Sequence, residues 1–112
     1  MRAYEMMVIF HGSLDESAVA GMINQMTTQV EEADGIVAKV DKMGRQRFAY
    51  EIDHMTEGFY VVFELEAEPG ALDGVERSLR LADDVVRHKL IRLPDIEARR
   101  RGLLGATPAE AG

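Results

Sequence analysis

Apolar and polar positions alternate from Tyr4 to Phe10. Tyr4, Met6, Val8 and Phe10 fall on one face, and Glu5, Met7 and Ile9 on the other. Alternation at period two predicts a strand. Both faces are mostly apolar, which points to a central strand. His11-Gly12-Ser13 ends it. The period then becomes helical, with Val19, Met22, Ile23, Met26, Val30 and Ala33 on one stripe. Two helix starts fit. Asp15 as N-cap lets Leu14 and Val19 form a hydrophobic staple, and Ser13 as N-cap lets Glu16 complete a capping box. Gly35 after Asp34 predicts the C′ stop. Met22 and Met26 read as flexible core filler.

Ile36–Ile52 predicts one long strand, bent where Gly44 interrupts it. Arg45 and Arg47 share a face of that strand, and Phe48, Tyr50 and Ile52 alternate beyond them. Asp53–Gly58 reads as a polar turn. Phe59–Glu66 returns as a strand with Phe59, Val61, Phe63 and Leu65 inward. Glu68-Pro69-Gly70 breaks it. Leu72, Val75, Leu79 and Ala82 mark a second helix, weakened at Gly74. Val85–Leu93 is a last strand, with Val86, His88 and Leu90 opposite Arg87, Lys89 and Ile91. Pro94 ends it. Residues 94–112 keep no sustained period and read as a mobile tail, with room for a helical turn around Ile96–Arg101.

The order is β-α-β-β-α-β. Right-handed crossovers on either side of a hairpin give a four-stranded antiparallel sheet with two helices on one face. This is a ferredoxin-like plait, of class α+β, over residues 1–93. Its other sheet face carries apolar residues, so cover by a partner, an RNA or a second copy is expected. The topology alone says nothing about activity.

At 112 residues and 46% hydrophobic, the chain suits one folded domain. It has no cysteine, which excludes disulfides and thiolate metal sites and fits a reducing compartment. No apolar run is long enough to span a bilayer. Glu5 interrupts the stretch in which a secretory signal would lie. The net charge of −7 argues against a generic nucleic-acid binder. The charge is segregated, however. Acids gather at Glu31–Asp34, Glu64–Glu68 and Asp83-Asp84; bases gather at Lys39–Arg47, Arg87–Arg92 and Arg99–Arg101. An acidic protein can therefore present a positive face.

Catalytic motifs are lacking. His11, His54 and His88 fall on three elements without metal-ligand spacing, and read as strand-end, loop and packed histidines. No nucleophile elbow or phosphate-cradling loop occurs. What remains is basic and aromatic: Arg2, Tyr4, Arg45, Arg47, Tyr50, Tyr60, Arg87 and Lys89. Guanidinium groups grip phosphate, and aromatic planes stack on unpaired bases.

Five segments together carry a family resemblance: Met1-Arg2-Ala3-Tyr4-Glu5, Leu14-Asp15, Gly44-Arg45-Gln46-Arg47-Phe48-Ala49-Tyr50-Glu51-Ile52, Glu57-Gly58-Phe59-Tyr60 and Val85-Val86-Arg87-His88-Lys89. With them the chain resembles the bacterial small-subunit ribosomal protein S-six family over roughly residues 1–93. The resemblance implies the same plait and a non-enzymatic, ribosome-bound role in the cytoplasm. It implies binding to the central domain of small-subunit ribosomal RNA beside ribosomal protein eighteen. The RNA-facing residues it implies are Arg2, Tyr4, Arg45, Arg47, Tyr50, Arg87 and Lys89, with the edge of the long second strand and the tail meeting the protein partner. Many members have adjacent arginines where this chain has Arg45-Gln46-Arg47, and proline at Glu51. For Arg99–Arg101 two readings stay open, folding onto RNA or remaining solvated. The competing function is a homodimeric small-molecule enzyme or ligand sensor on the same plait, with His11 or His88 in an apolar cavity.

Overall fold

The structure, a computed structural model, describes residues 1–106. Its elements are β1 (Arg2–His11), α1 (Glu16–Glu32), β2 (Ile36–Ile52), β3 (Met55–Ala67), α2 (Asp73–Leu81), β4 (Val85–Arg92) and α3 (Asp95–Arg100). The sheet runs β2-β3-β1-β4 and every pairing is antiparallel. The doubly apolar β1 is a central strand, as its pattern requires. Met6, Val8 and Phe10 of β1 and Val61, Phe63 and Leu65 of β3 join buried residues of α1 and α2 in one core. Phe10 and Phe63 are fully buried there, each contributing about 1.5–3 kcal/mol from burial.

Of the two starts for α1, the fold uses Asp15, whose Oδ1 accepts from the Ala18 N–H at 2.8 Å. Leu14 packs against the core that buries Val19, as a staple would place it. The stop differs from expectation by one residue. The C′ position is Asp34, at φ 62°, and Gly35 comes after it. The Gly35 N–H donates to Val30 O at 2.8 Å, closing a Schellman motif. Gly35 is needed for space: a Cβ there would lie 2.9 Å from Val30 Cγ1 and 3.1 Å from Glu66 O.

The expected polar turn at Asp53–Gly58 is shorter. Asp53 and His54, both at positive φ, form a two-residue turn, and β3 starts at Met55. Positive φ at both positions suits the twist of a tight hairpin.

The larger difference lies past Leu93. Up to residue 106 the segment expected as a mobile tail is packed on the sheet. The predicted helical turn is α3, and it is docked. Its C-terminus is a second Schellman motif: Gly102 sits at φ 82°, and the Leu103 N–H donates to Ala98 O at 2.9 Å. Leu103 and Ala98 bury with Ala3 and Leu93 in a satellite cluster. Ala3 belongs to the sheet face away from α1 and α2. That face is thus covered at one end by the chain itself, rather than wholly by a partner. Residues 107–112, the end of the expected tail, lie outside the described residues.

Candidate RNA-facing surface

The bend in β2 arises at Gly44. The pairing with β3 slips by one residue between Lys42 and Gly44, and Gly44 holds φ 82°. A bulge with glycine in the left-handed region turns the strand and re-aims the next side chains. Arg45 is the first of these. Its guanidinium lies 4.6 Å from the Phe59 ring centroid, and one η nitrogen donates to Leu14 O at 3.0 Å. The same arginine thereby ties the β2 bend to the start of α1. Arg47 is exposed opposite Glu57.

Beyond Arg47 the hairpin is irregular. Arg47 pairs with Glu57 and Ile52 with Met55, so residues 48–51 of β2 face Thr56 alone. Phe48 turns its edge to Tyr60, at 6.1 Å between centroids and 63° between planes. The Phe48 ring also lies over Gly58, where an added Cβ would come within 3.0 Å of it and 2.7 Å of Ile9 Cγ2. Tyr50 is left 71% exposed.

The implied RNA-facing residues form three groups. Arg45, Arg47 and Tyr50 lie on the hairpin. Arg87 and Lys89 lie on the opposite edge strand, in register with Ile9 and Met7, and so on the face away from the helices. Arg2 and Tyr4 lie at the far end of β1, about 26 Å and about 20 Å from Phe10 at the usual strand rise. Tyr4 packs half-buried against the core. The hairpin and β4 groups share one end of the sheet, since Gly44, Tyr60, Ile9 and Arg87 stand in one cross-strand row.

The sequence pattern did not reveal the role of Arg101. Its Nη1 donates to Glu5 at 3.0 Å and Glu64 at 3.3 Å, and its Nε donates to Glu97 at 3.0 Å. Glu5 and Glu64 are direct cross-strand partners. Two carboxylates so placed repel unless a cation stands between them. The Leu104 N–H donates to Glu66 Oε1 at 2.9 Å, extending the contact along β3. Hydrogen bonds donated to Glu5, then to Glu97, hold the Arg101 guanidinium above even its ordinary high pKa, against the opposing effect of burial. The signal was present in sequence: Glu5 and Glu64 fall on one face of two neighbouring strands.

His11 and His88 have structural partners. His11 Nδ1 lies 2.8 Å from Ser13 Oγ and accepts from the Ser13 N–H at 3.3 Å. His88 Nε2 meets Glu76 Oε1 of α2 at 3.2 Å. A cleft of about 230 Å³ between α1 and the β2 bend is lined by Glu16, Val19, Lys42 and Phe59 among others, whereas His11 and His54 line a shallow, open recess with Ser13, Thr56 and Glu57, a polar setting rather than an apolar cavity. The small-molecule alternative is not favoured by this arrangement.

Comparison with known proteins agrees with the topology. Residues 3–92 match the family model described as Ribosomal protein S6. The chain is 48% identical over 92 residues to the small ribosomal subunit protein bS6 of Salinispora arenicola, covering 82% of this chain and 96% of that one. It is 40% identical over 111 residues to the bS6 of Saccharopolyspora erythraea, covering 99% and 93%. The crystal structure of the 30S ribosomal protein S6 from Thermotoga maritima superposes with a TM-score of 0.82 at 29% identity, covering 90% of this chain and 95% of that one. The chain therefore belongs to the bacterial ribosomal protein S6 family, a structural, non-enzymatic component of the small ribosomal subunit in the cytoplasm.

Proposed function

We propose that this protein binds the central domain of small-subunit ribosomal RNA together with ribosomal protein eighteen. The observation that carries the RNA contact is the charge left available on the hairpin. Arg45 is fixed by a neutral carbonyl and an aromatic ring, so its full positive charge is retained and pre-oriented. Arg47 and the exposed Tyr50 continue the surface, offering a second phosphate contact and a ring on which a base can stack. Arg87 and Lys89 provide a further cationic site on β4, with Arg2 and Tyr4 at the far end of β1. The protein partner meets the outer edge of β2. That edge strand exposes Ile36 and Met43 beside unpaired backbone groups, a geometry suited to strand addition. Net acidity then favours encounter with a basic partner.

Salt titration of binding to a central-domain RNA fragment tests this. It is run with and without ribosomal protein eighteen, for the wild type and for Arg45→Ala/Arg47→Ala. Tight binding is expected only with the partner. The double variant should flatten the dependence of log K on log salt by roughly 1.4–1.8, at about 0.7–0.9 for each phosphate no longer neutralised. Equal RNA affinity with and without the partner would remove the cooperative reading.

A further inference from the structure

We infer that α3 is a second RNA-contacting element, which Arg101 positions and through which Arg99 and Arg100 reach phosphate. The inference rests on the RNA-binding reading above and extends it beyond the seven residues named there.

Four observations support it. First, α3 is bounded at both ends. Pro94 precedes it, Gly102 at φ 82° ends it, and Leu103 and Ala98 anchor it on Ala3 and Leu93. Second, the three arginines at its end have different neighbours. Arg101 is held by Glu5, Glu64 and Glu97. Among the described residues Arg99 meets no carboxylate, and the exposed Arg100 reaches only Glu97, at 3.8 Å. Two guanidinium groups are therefore left facing solvent on a helix whose placement is fixed.

Third, the register makes α3 continuous with the cationic side of β4. Arg87 pairs with Ile9, Lys89 with Met7 and Ile91 with Glu5, the residue that holds Arg101. These positions descend one face of one strand, about 6.6 Å apart at the usual rise. The row of cations thus leads toward the helix that carries Arg99 and Arg100. Fourth, the match to the Saccharopolyspora protein spans 99% of this chain, so that relative also has chain at the α3 position.

The chemistry fits a phosphate backbone better than a base edge. Exposed, solvated guanidinium groups with no aromatic beside them among the described residues neutralise phosphates and release counterions without reading sequence. Arg101 contacts no RNA in this scheme. Its part is to neutralise the facing carboxylates of Glu5 and Glu64, which would otherwise repel both each other and RNA.

The test is salt-dependent binding of the full chain, with ribosomal protein eighteen, to the central-domain RNA fragment. Arg99→Gln/Arg100→Gln should flatten the salt slope by roughly 1.4–1.8 while leaving the melting temperature unchanged. Arg101→Gln should weaken binding as well, together with faster amide exchange in α3. Arg77→Gln/Arg80→Gln, on the far side of the sheet, removes the same charge and should change the slope by less than half as much. Equal slopes for these two double variants would overturn the inference, because only net charge would then matter. A wild-type slope in Arg99→Gln/Arg100→Gln, with a flattened one in Arg87→Gln/Lys89→Gln, would also overturn it and leave the RNA-binding reading standing. Absence of wild-type binding would overturn both.

Discussion

Arg45 and Arg101 occupy similar settings in sequence, Gly-Arg-Gln-Arg and Arg-Arg-Arg-Gly, but the fold gives them different neighbours. Arg45 faces a carbonyl oxygen and a phenyl ring. Those partners orient a guanidinium without cancelling its charge. Arg101 faces three carboxylates, and its charge is matched within the fold. The first arrangement preserves attraction for an external anion. The second holds chain to chain. An arginine's use therefore depends on the charge of its partners rather than on the richness of the run in which it sits. Stability and RNA affinity should separate accordingly between the two sites.

The largest effect on stability is expected in the apolar part of the C-terminal contact. Leu103→Ala should cost about 2–3 kcal/mol in urea unfolding, as a buried leucine replaced in a small cluster. An unchanged midpoint would mean that α3 adds nothing to the folded state. Next comes Arg101→Ala, at about 1–2 kcal/mol, above the usual surface pair because three carboxylates lose one cation. The sign of Glu64→Gln sharpens the point. With Arg101 present it should destabilise. In the Arg101→Ala background it should restore stability, since it removes one of two facing carboxylates. A double-mutant cycle with no coupling would break the comparison. The titration of Arg101 itself is not the lever. Its pKa is raised on folding, so its charged form stabilises fully below the ordinary arginine value and is lost only as pH rises through the raised one.

Periodicity carried most of the plait. Strands and helices were legible because burial on one face forces a repeat of two or about 3.6, the central position of β1 because both its faces are apolar, and the bend because a glycine interrupts the strand at Gly44. Three features were not. The exact stop of α1 is hidden because Asp34 takes the left-handed position usually given to glycine, while Gly35 serves a close approach. The docking of α3 is not legible in the sequence, because six helical residues show too little period to reveal a buried face. Its ending was nonetheless written in Gly102-Leu103, a glycine and then an apolar residue that returns to Ala98. The grouping of the arginines also escaped, since residues on β2 and β4 are placed at opposite edges only by the strand order.

The smallest expected effect on stability belongs to Arg45, and it tests the other half of the comparison. Arg45→Ala should cost only about 0.5–1 kcal/mol, the value of an exposed cation over a ring. Its effect on RNA should be disproportionate: a slope flatter by about 0.7–0.9, equal to one phosphate. Arg45→Lys separates charge from shape. A lysine keeps the charge but lacks the planar fork that both covers Phe59 and reaches Leu14 O. Most of the salt slope should therefore return, while affinity at fixed salt stays below wild type. If Arg45→Lys instead matched Arg45→Ala in slope, the charge at this position would not be meeting phosphate. Arg45 would then belong with Arg101, as a residue that holds the fold together.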